Sequence, residues 1–358
     1  MASQIVEQSR QLFVEVVQPI LDTRFPEVAA ETAFGLFGYG SEALGLDDEH
    51  SRDHQFGLRI DALMPDGLFQ AHAEELREVV SGALPEMFLG MALREGHVAG
   101  AGLAPDSLEG FMQRTIGLPG VPETLAEWLS IAEEEVTHVT NGWVWQDDSG
   151  RFTEIRRAFA DYWPEPVRMR RLAHWCRYFS GMGVYALQRA LLRNDYYYAS
   201  ITASRSIRWA VQMAFMLERR FYPYDKWIMH RFRELPNMWP KMGHLVEAAV
   251  RPETMPEAQL VLLEAMSDVL DAELVEQGLI APHPKFARSS TSGYRILEHA
   301  YAELLRRCPE EIRSVVPEWD QVQLESFHSG WVSGLSLAEW DAILNLTAAS
   351  DKQVNHPV

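Results

Sequence analysis

The spacing of apolar residues predicts one helix followed by three short strands in the first part of the chain. Residues 4–23 place apolar side chains three and four positions apart, which is typical of an amphipathic helix. The apolar, glycine-rich stretch 33–40 predicts a buried strand that ends in a tight loop. Short apolar stretches bounded by turn residues predict two further strands, over residues 52–63 and 97–104.

Residues 138–156 predict a β-hairpin. Two flanking stretches are separated by Asp-Asp-Ser-Gly at positions 147–150, and Asp and Gly are typical of hairpin turns. Alternation places Trp143 and Trp145 on one face of the first strand. We expect these two side chains either to stack on a sugar or a base, or to pack against the helical part of the chain.

After Pro166 the pattern changes to long helical periods. Apolar residues recur at helical spacing in five segments, at residues 167–193, 195–220, 240–250, 256–277 and 291–307. We therefore predict an α+β protein, with an α/β domain at residues 1–165 and a mainly α-helical domain at residues 166–358.

Composition narrows the choice of partners. The chain has 32 Lys and Arg against 51 Asp and Glu, a net charge of −19, which argues against a broad basic face for nucleic acid. It has no run of about 18 apolar residues and no basic, apolar signal peptide, so we expect a cytoplasmic bacterial protein with a small-molecule substrate and no membrane partner. Two cysteines, Cys176 and Cys308, are too few for a disulfide framework or a cysteine-rich zinc site.

The loop after the first predicted strand is rich in carboxylates. Five acidic residues and two histidines lie within positions 42–54: Glu42, Asp47, Asp48, Glu49, His50, Asp53 and His54. Crowded carboxylates repel one another unless a cation, an arginine or a shared proton compensates their charge. The loop is therefore either a site for a hard cation or a catalytic acid–base pair, or a solvated acidic turn.

The order of residues in this loop resembles the DNA polymerase β-type nucleotidyltransferase superfamily. Gly40 and Ser41 match the Gly-Ser turn of that family, and Gly45 matches the glycine that follows it. Asp53 matches the first metal carboxylate. In the family, the turn presents backbone N–H groups to a triphosphate and paired carboxylates hold two Mg²⁺ ions. The resemblance implies a nucleoside triphosphate as substrate, bound at Gly40 and Ser41, and Mg²⁺ as cofactor.

The resemblance also implies which carboxylates act. Asp53 and Asp48 would ligate the metal, and Glu42, Asp47 or Asp48 would supply further ligands or the catalytic base. Gln55 occupies the position of the second family carboxylate.

Asp61 is the next carboxylate along the same predicted strand. It lies eight residues beyond Asp53, and about 3.3 Å per residue separates the two by roughly 26 Å, too far to share an ion.

A longer resemblance extends to the second half of the chain. The run at residues 40–54, Arg-Asn-Asp-Tyr at residues 193–196 and Tyr-Pro-Tyr-Asp-Lys-Trp at residues 222–227 are similar to motifs of the domain-of-unknown-function 4037 family. That resemblance implies a nucleotidyltransferase-like mixed sheet with helices, followed by a mainly helical domain.

Basic residues of the helical part are candidates for binding an anionic substrate. Arg205 and Arg208 share one face of the predicted helix 195–220 and need anionic partners. These partners are phosphate, a substrate carboxylate or the acidic loop, or else Asp195 or Glu218 of the same helix.

Lys226 follows the aromatic corner at residues 222–224 and is expected near the start of the next helix. With Arg205 and Arg208 it would form a positive wall opposite the acidic loop. We count these three residues and His54 among the candidates for binding substrate phosphate.

Three functions are consistent with these features. The first is transfer of a nucleotidyl group from Mg-NTP to a small hydroxylated acceptor. The second is glycoside hydrolysis by Glu42 paired with Asp47, Asp48 or Asp53, with a sugar stacked on tryptophan. The third is a catalytically degenerate module that binds a nucleotide or a protein partner.

Overall fold

The computed structural model describes residues 4–51, 57–93, 102–282, 297–313 and 315. All of them lie within the unit Met1–Val315. The candidates Asp53 and His54, together with Gln55, lie outside the described residues.

A long helical stretch covers one side of the sheet. It consists of α1 (Gln4–Leu12), a π-helical segment (Phe13–Val17) and α2 (Gln18–Arg24), which agrees with the helix predicted over residues 4–23. Its apolar face is buried in a hydrophobic core with the first two strands. The short helix α3 (Pro26–Ala30) leads into the sheet.

The sheet has four described strands in the order β5-β2-β1-β6. These are β1 (Ala33–Leu36), β2 (Arg59–Met64), β5 (Gly102–Ser107) and β6 (Trp143–Gln146). β1 pairs antiparallel with β2 and β6, and β2 pairs parallel with β5, so the sheet is mixed. Phe34 pairs with Ala62 across β1 and β2. A separate two-stranded sheet is formed by β3 (Met87–Phe88) and β4 (Met91–Ala92).

The predicted strands are confirmed with shifted bounds. β1 ends at Leu36, earlier than predicted, because a tight turn begins there. β2 covers the second half of residues 52–63, and β5 begins near the end of residues 97–104. Residues 52–56 and 97–101 lie outside the described part of the chain.

The predicted hairpin at residues 138–156 is wrong. Its first half contains the short helix α7 (Val136–Thr140) and then β6, which pairs with β1. Its second half is the helix α8 (Arg151–Ala160), which buries Phe152 and Phe159. Asp147 accepts hydrogen bonds from the backbone N–H and hydroxyl of Thr153 at 2.8 and 2.7 Å. The turn residues therefore begin a helix, where side-chain acceptors satisfy the free N–H groups.

The tryptophans of β6 also differ from the prediction. Trp143 and Trp145 are partly buried against the hydrophobic core at the N-terminal helix, and the Trp145 ring lies 5.8 Å from that of Phe13. No ring pair that the structure describes joins either tryptophan to the helical part of the chain. Stacking on a sugar or a base stays a prediction.

Three helices connect the strands. α4 (Asp66–Ala83) follows β2, α5 (Leu108–Ile116) follows β5, and α6 (Leu125–Ser130) precedes a 3₁₀ turn at Glu133–Glu135. Ser107 caps α5 by accepting from the backbone N–H of Gly110 at 2.8 Å. Serine is one of the residues that most often cap a helix N-terminus in this way.

The second half of the described chain is helical, as predicted. A nearly continuous helix is formed by α9 (Glu165–Arg177), a π-helical segment (Tyr178–Tyr185) and α10 (Ala186–Leu191). The remaining helices are α11 (Tyr196–Leu217), α12 (Asp225–Phe232), α13 (Met238–Ala249), α14 (Pro256–Glu276), α15 (Glu298–Arg307) and α16 (Glu310–Arg313).

A small mixed sheet with helices, followed by helices alone, confirms the α+β class. The division into domains at residue 165 stays a prediction. Among the described helices, none is both long and apolar enough for a bilayer crossing.

Candidate functional site

The Gly40–Ser41 turn lies directly beyond the end of β1. The Gly38 N–H donates to the Asn141 side chain at 2.9 Å, so the turn is tied to the segment before β6. Gly40 has φ +134°, and a Cβ there would lie 2.4 Å from the carboxylate of Glu42. Only glycine combines that backbone angle with this close approach.

Beneath the turn, Glu42 and Asp61 share one arginine. Arg59 Nη1 lies 3.3 Å from Glu42 Oε1, and Arg59 Nε lies 2.9 Å from Asp61 Oδ1. Arg59 Nη2 also donates to the Phe37 and Tyr39 carbonyls at 3.1 and 3.3 Å. Burial raises the pKa of the Glu42 carboxyl above its ordinary value although Arg59 opposes the shift. Glu42 is thus held on the inner side of the turn by an ion pair.

The aromatic corner at residues 222–227 contacts the outer side of the turn. Ser41 Oγ accepts hydrogen bonds from Trp227 Nε1 at 3.0 Å and from Lys226 Nζ at 3.4 Å, and it lies 3.3 Å from Tyr224 Oη. Lys226 Nζ also donates to Ser51 Oγ at 3.0 Å. The structure therefore brings together Ser41 and Lys226, two of the predicted phosphate-binding residues.

Hydrogen bonds within the acidic loop hold Asp48 in place. Asp48 Oδ1 accepts from Ser51 Oγ at 2.8 Å and from the His50 N–H at 3.0 Å, and the Ser51 hydrogen bond lowers the pKa of Asp48. Asp47 Oδ1 is buried and has no hydrogen-bond partner in the part of the chain that the structure describes. Within the same residues, no three His, Cys, Asp or Glu side chains are grouped to hold a metal.

Arg205 and Arg208 of α11 differ in their surroundings. Arg205 is exposed. Arg208 donates to Glu134 at 2.8 Å and to Asp225 at 2.6 Å. These partners differ from Asp195 and Glu218, the acidic residues of its own helix that the sequence suggested. Their participation in substrate binding, like that of Lys226, stays a prediction.

Sequence reasoning missed the segment Glu133–Glu135, which lies next to this site. Glu133 forms a buried ion pair with Arg171 at 2.9 Å and accepts from Trp175 Nε1 at 3.1 Å. The Tyr222 hydroxyl donates to the same carboxylate. The signal for this segment was a run of three consecutive carboxylates close to Ile131, which is buried. When such a run is buried, each of its charges requires a partner.

Glu135 lies beside His138, three positions further along the chain. Its Oε2 atom lies 3.8 Å from His138 Nε2. Burial raises the pKa of Glu135 to about 8 and lowers that of His138 to about 4. Near neutral pH the imidazole is therefore uncharged, and the carboxyl is largely protonated.

Part of the chain is similar to a described protein family. Residues 128–228 match the family described as Domain of unknown function (DUF4037). This match confirms the resemblance that the sequence motifs indicate. The matched segment contains Glu133–Glu135, Arg208 and Lys226, whereas the Gly40–Ser41 turn lies outside it.

Among solved structures, the chain is matched by a nucleotidyltransferase-like protein from Exiguobacterium sibiricum 255-15. The two share 13% sequence identity at a TM-score of 0.38, over 73% of this chain and 77% of that chain. No curated protein sequence matches the chain.

Proposed function

We propose that this chain binds a nucleoside triphosphate with Mg²⁺ at the Gly40–Ser41 turn and transfers the nucleotidyl group to a small hydroxylated acceptor. The position of Lys226 carries the proposal. Its ammonium group is held by the hydroxyls of Ser41 and Ser51, and it forms no ion pair with any side chain that the structure describes. A lysine held beside serine hydroxyls in this way suits a phosphate oxygen as its partner.

The environment of Lys226 supports a bound anion. The residue is exposed, so a ligand can reach it, and its Nζ lies 5.2 Å from the centre of the Trp227 ring. Serine hydroxyls do not neutralise an ammonium charge, and the nearby Asp48 forms no ion pair with it. A phosphate bound here would place an opposite charge in direct contact with the ammonium group.

One carboxylate oxygen of the loop suits a hard divalent cation. Asp47 Oδ1 is a buried carboxylate oxygen without a hydrogen-bond partner among the described residues, and such oxygens are the ligands that Mg²⁺ prefers. In this proposal Asp47, Asp48 and Asp53 hold the ion, with Asp53 taken from the sequence motif. The ion would offset the negative charge of the phosphates.

The proposal is tested first by binding. We expect Mg²⁺ with ATP, GTP, CTP or UTP to raise the melting temperature, and Lys226→Met to abolish the shift. Arg77→Met, which removes one exposed positive charge from α4, is the matched control and should retain it. The proposal is wrong if none of the four nucleotides changes the melting temperature of the unmodified protein.

Turnover separates an enzyme from a degenerate binding module. We expect pyrophosphate to be released from the nucleotide that gives the largest shift, in the presence of glycerol as an added acceptor. Binding without pyrophosphate release would instead favour the module that only binds a nucleotide.

A further inference from the structure

Arg208 links the start of α12 to the segment Glu133–Glu135. Its Nε atom donates to Asp225 Oδ1 at 2.6 Å, and its Nη2 atom donates to Glu134 Oε2 at 2.8 Å. Asp225 is the first residue of α12, and Lys226 follows it directly. The guanidinium group is therefore bonded to the residue that precedes the lysine of the proposed phosphate site.

The charge of Arg208 is already compensated by carboxylates. Its side chain is only 16% exposed, and that of Glu134 is 5% exposed. A guanidinium group that is paired with two carboxylates has little charge left for a further anion. Lys226 differs, because it contacts serine hydroxyls and forms no ion pair with any side chain that the structure describes. Arg208 is thus better placed to hold α12 than to bind phosphate itself.

A second contact holds the first residue of the aromatic corner. Tyr222 is buried, and its hydroxyl group donates to Glu133. Glu133 and Glu134 are consecutive, so one short segment holds both the first residue of the corner and, through Arg208, the start of α12. Tied at both places, the corner has little freedom to move, and the side chains that it presents to the proposed phosphate site keep their positions.

We propose that Arg208 is a positioning residue that acts through Asp225 to hold Lys226 at the phosphates of the bound nucleotide. This proposal rests on the proposed function. Lys226 Nζ lies 3.4 Å from Ser41 Oγ and 3.0 Å from Ser51 Oγ, and the ion pair between Arg208 and Asp225 fixes the helical turn from which the lysine extends. Without that ion pair, the first turn of α12 is free to shift, and the ammonium group moves with it.

The sign of one effect separates positioning from simple electrostatics. Asp225→Asn removes a negative charge next to Lys226, which by charge alone should strengthen the binding of an anionic nucleotide. Positioning requires the opposite, because a neutral amide binds Arg208 more weakly. We expect Asp225→Asn to raise the Kd for the nucleotide by about ten-fold, measured by isothermal titration calorimetry with Mg²⁺ and each of ATP, GTP, CTP and UTP. The Asp225 side chain is 50% exposed, so the variant should fold normally.

A double variant tests whether the two residues act through one contact. Arg208→Met should raise the Kd by a similar factor, and Arg208→Met/Asp225→Asn should bind no more weakly than Arg208→Met alone. If Arg208 bound phosphate directly, the two changes would act in opposite directions, and the double variant would return towards the Kd of the unmodified protein. Arg208→Lys keeps the charge that pairs with Asp225 and should restore part of the affinity.

Glu154→Gln is the matched control for the lost negative charge, because it removes an exposed carboxylate from α8. It should bind nucleotide as the unmodified protein does. If Asp225→Asn binds nucleotide as tightly as the unmodified protein, or more tightly, Arg208 does not position Lys226, while nucleotide binding stands. If the unmodified protein binds none of the four nucleotides, both the proposed function and the role of Arg208 are wrong.

Discussion

At the residue scale, Gly40 determines whether the turn can form. Its φ of +134° disfavours any side chain, and an added Cβ would meet the Glu42 carboxylate, which Arg59 holds in place. We expect Gly40→Ala to lower the free energy of unfolding by about 1–3 kcal/mol. It should also abolish the nucleotide-induced melting shift, because the turn must move. Urea unfolding and thermal melting measure the two effects.

Gly117 provides the matched control for this substitution. It also has a positive φ, +79°, at the end of α5, but an added Cβ would have no other atom within 4 Å. Gly117→Ala should cost about 1 kcal/mol and leave the nucleotide-induced shift intact. A normal shift in Gly40→Ala would show that the turn does not hold the phosphates.

At the element scale, the segment Glu133–Glu135 links α9 to the residues just before α12. Glu133 binds Arg171 of α9 on one side and the Tyr222 hydroxyl on the other. Tyr222 lies two positions before Tyr224 and four positions before Lys226. This network therefore helps to position the side chains that contact Ser41.

Breaking this network should destabilise the protein. Arg171 is completely buried, and Glu133→Gln removes the charged partner of the ion pair between them. We expect the free energy of unfolding to fall by about 3–5 kcal/mol, measured by urea denaturation. The double variant Glu133→Gln/Arg171→Met should lose less free energy of unfolding than the two single variants lose together. Equal stability of Glu133→Gln and the exposed control Glu154→Gln would contradict this account.

At the scale of the whole molecule, buried carboxyl groups make stability depend on pH. Glu135 ionises at about 8 in the folded chain, against an ordinary value of 4.5, so the folded state binds this proton more tightly. Its contribution to stability is fully present below the unfolded pKa and is lost as pH rises through the folded pKa. Glu134, whose pKa burial raises to about 7, acts in the same direction.

The effect of Glu135 can be isolated with one variant. Between pH 6 and 8 this group alone should lower the free energy of unfolding of the unmodified protein by roughly 2 kcal/mol. His138, with its pKa lowered to about 4, acts in the opposite direction but mainly below pH 6.5, the ordinary value for histidine. We expect urea unfolding to show that the free energy of unfolding falls less from pH 6 to pH 8 in Glu135→Gln than in the unmodified protein. The difference should be roughly 2 kcal/mol. An identical loss in both proteins would mean that Glu135 titrates normally.

The sequence by itself determined the α+β class, the amphipathic N-terminal helix and the helices of the second half. Periodicity records which face of a helix or strand is buried, and this information is local. The Gly40–Ser41 turn and the aromatic corner were also found from short motifs. The same local reasoning failed at residues 147–150, because Asp and Gly begin a helix as readily as a hairpin turn and neighbouring strands decide between them.

Only the tertiary structure decided which of these residues meet. Ser41 and Lys226 lie 185 positions apart, and no spacing in the sequence predicts that they lie 3.4 Å from each other. The partners of Arg208 depend in the same way on how α11 packs against the segment Glu133–Glu135. A side chain's charge and its capacity to form hydrogen bonds are set by its type, whereas its exposure and its partners follow from packing between distant segments.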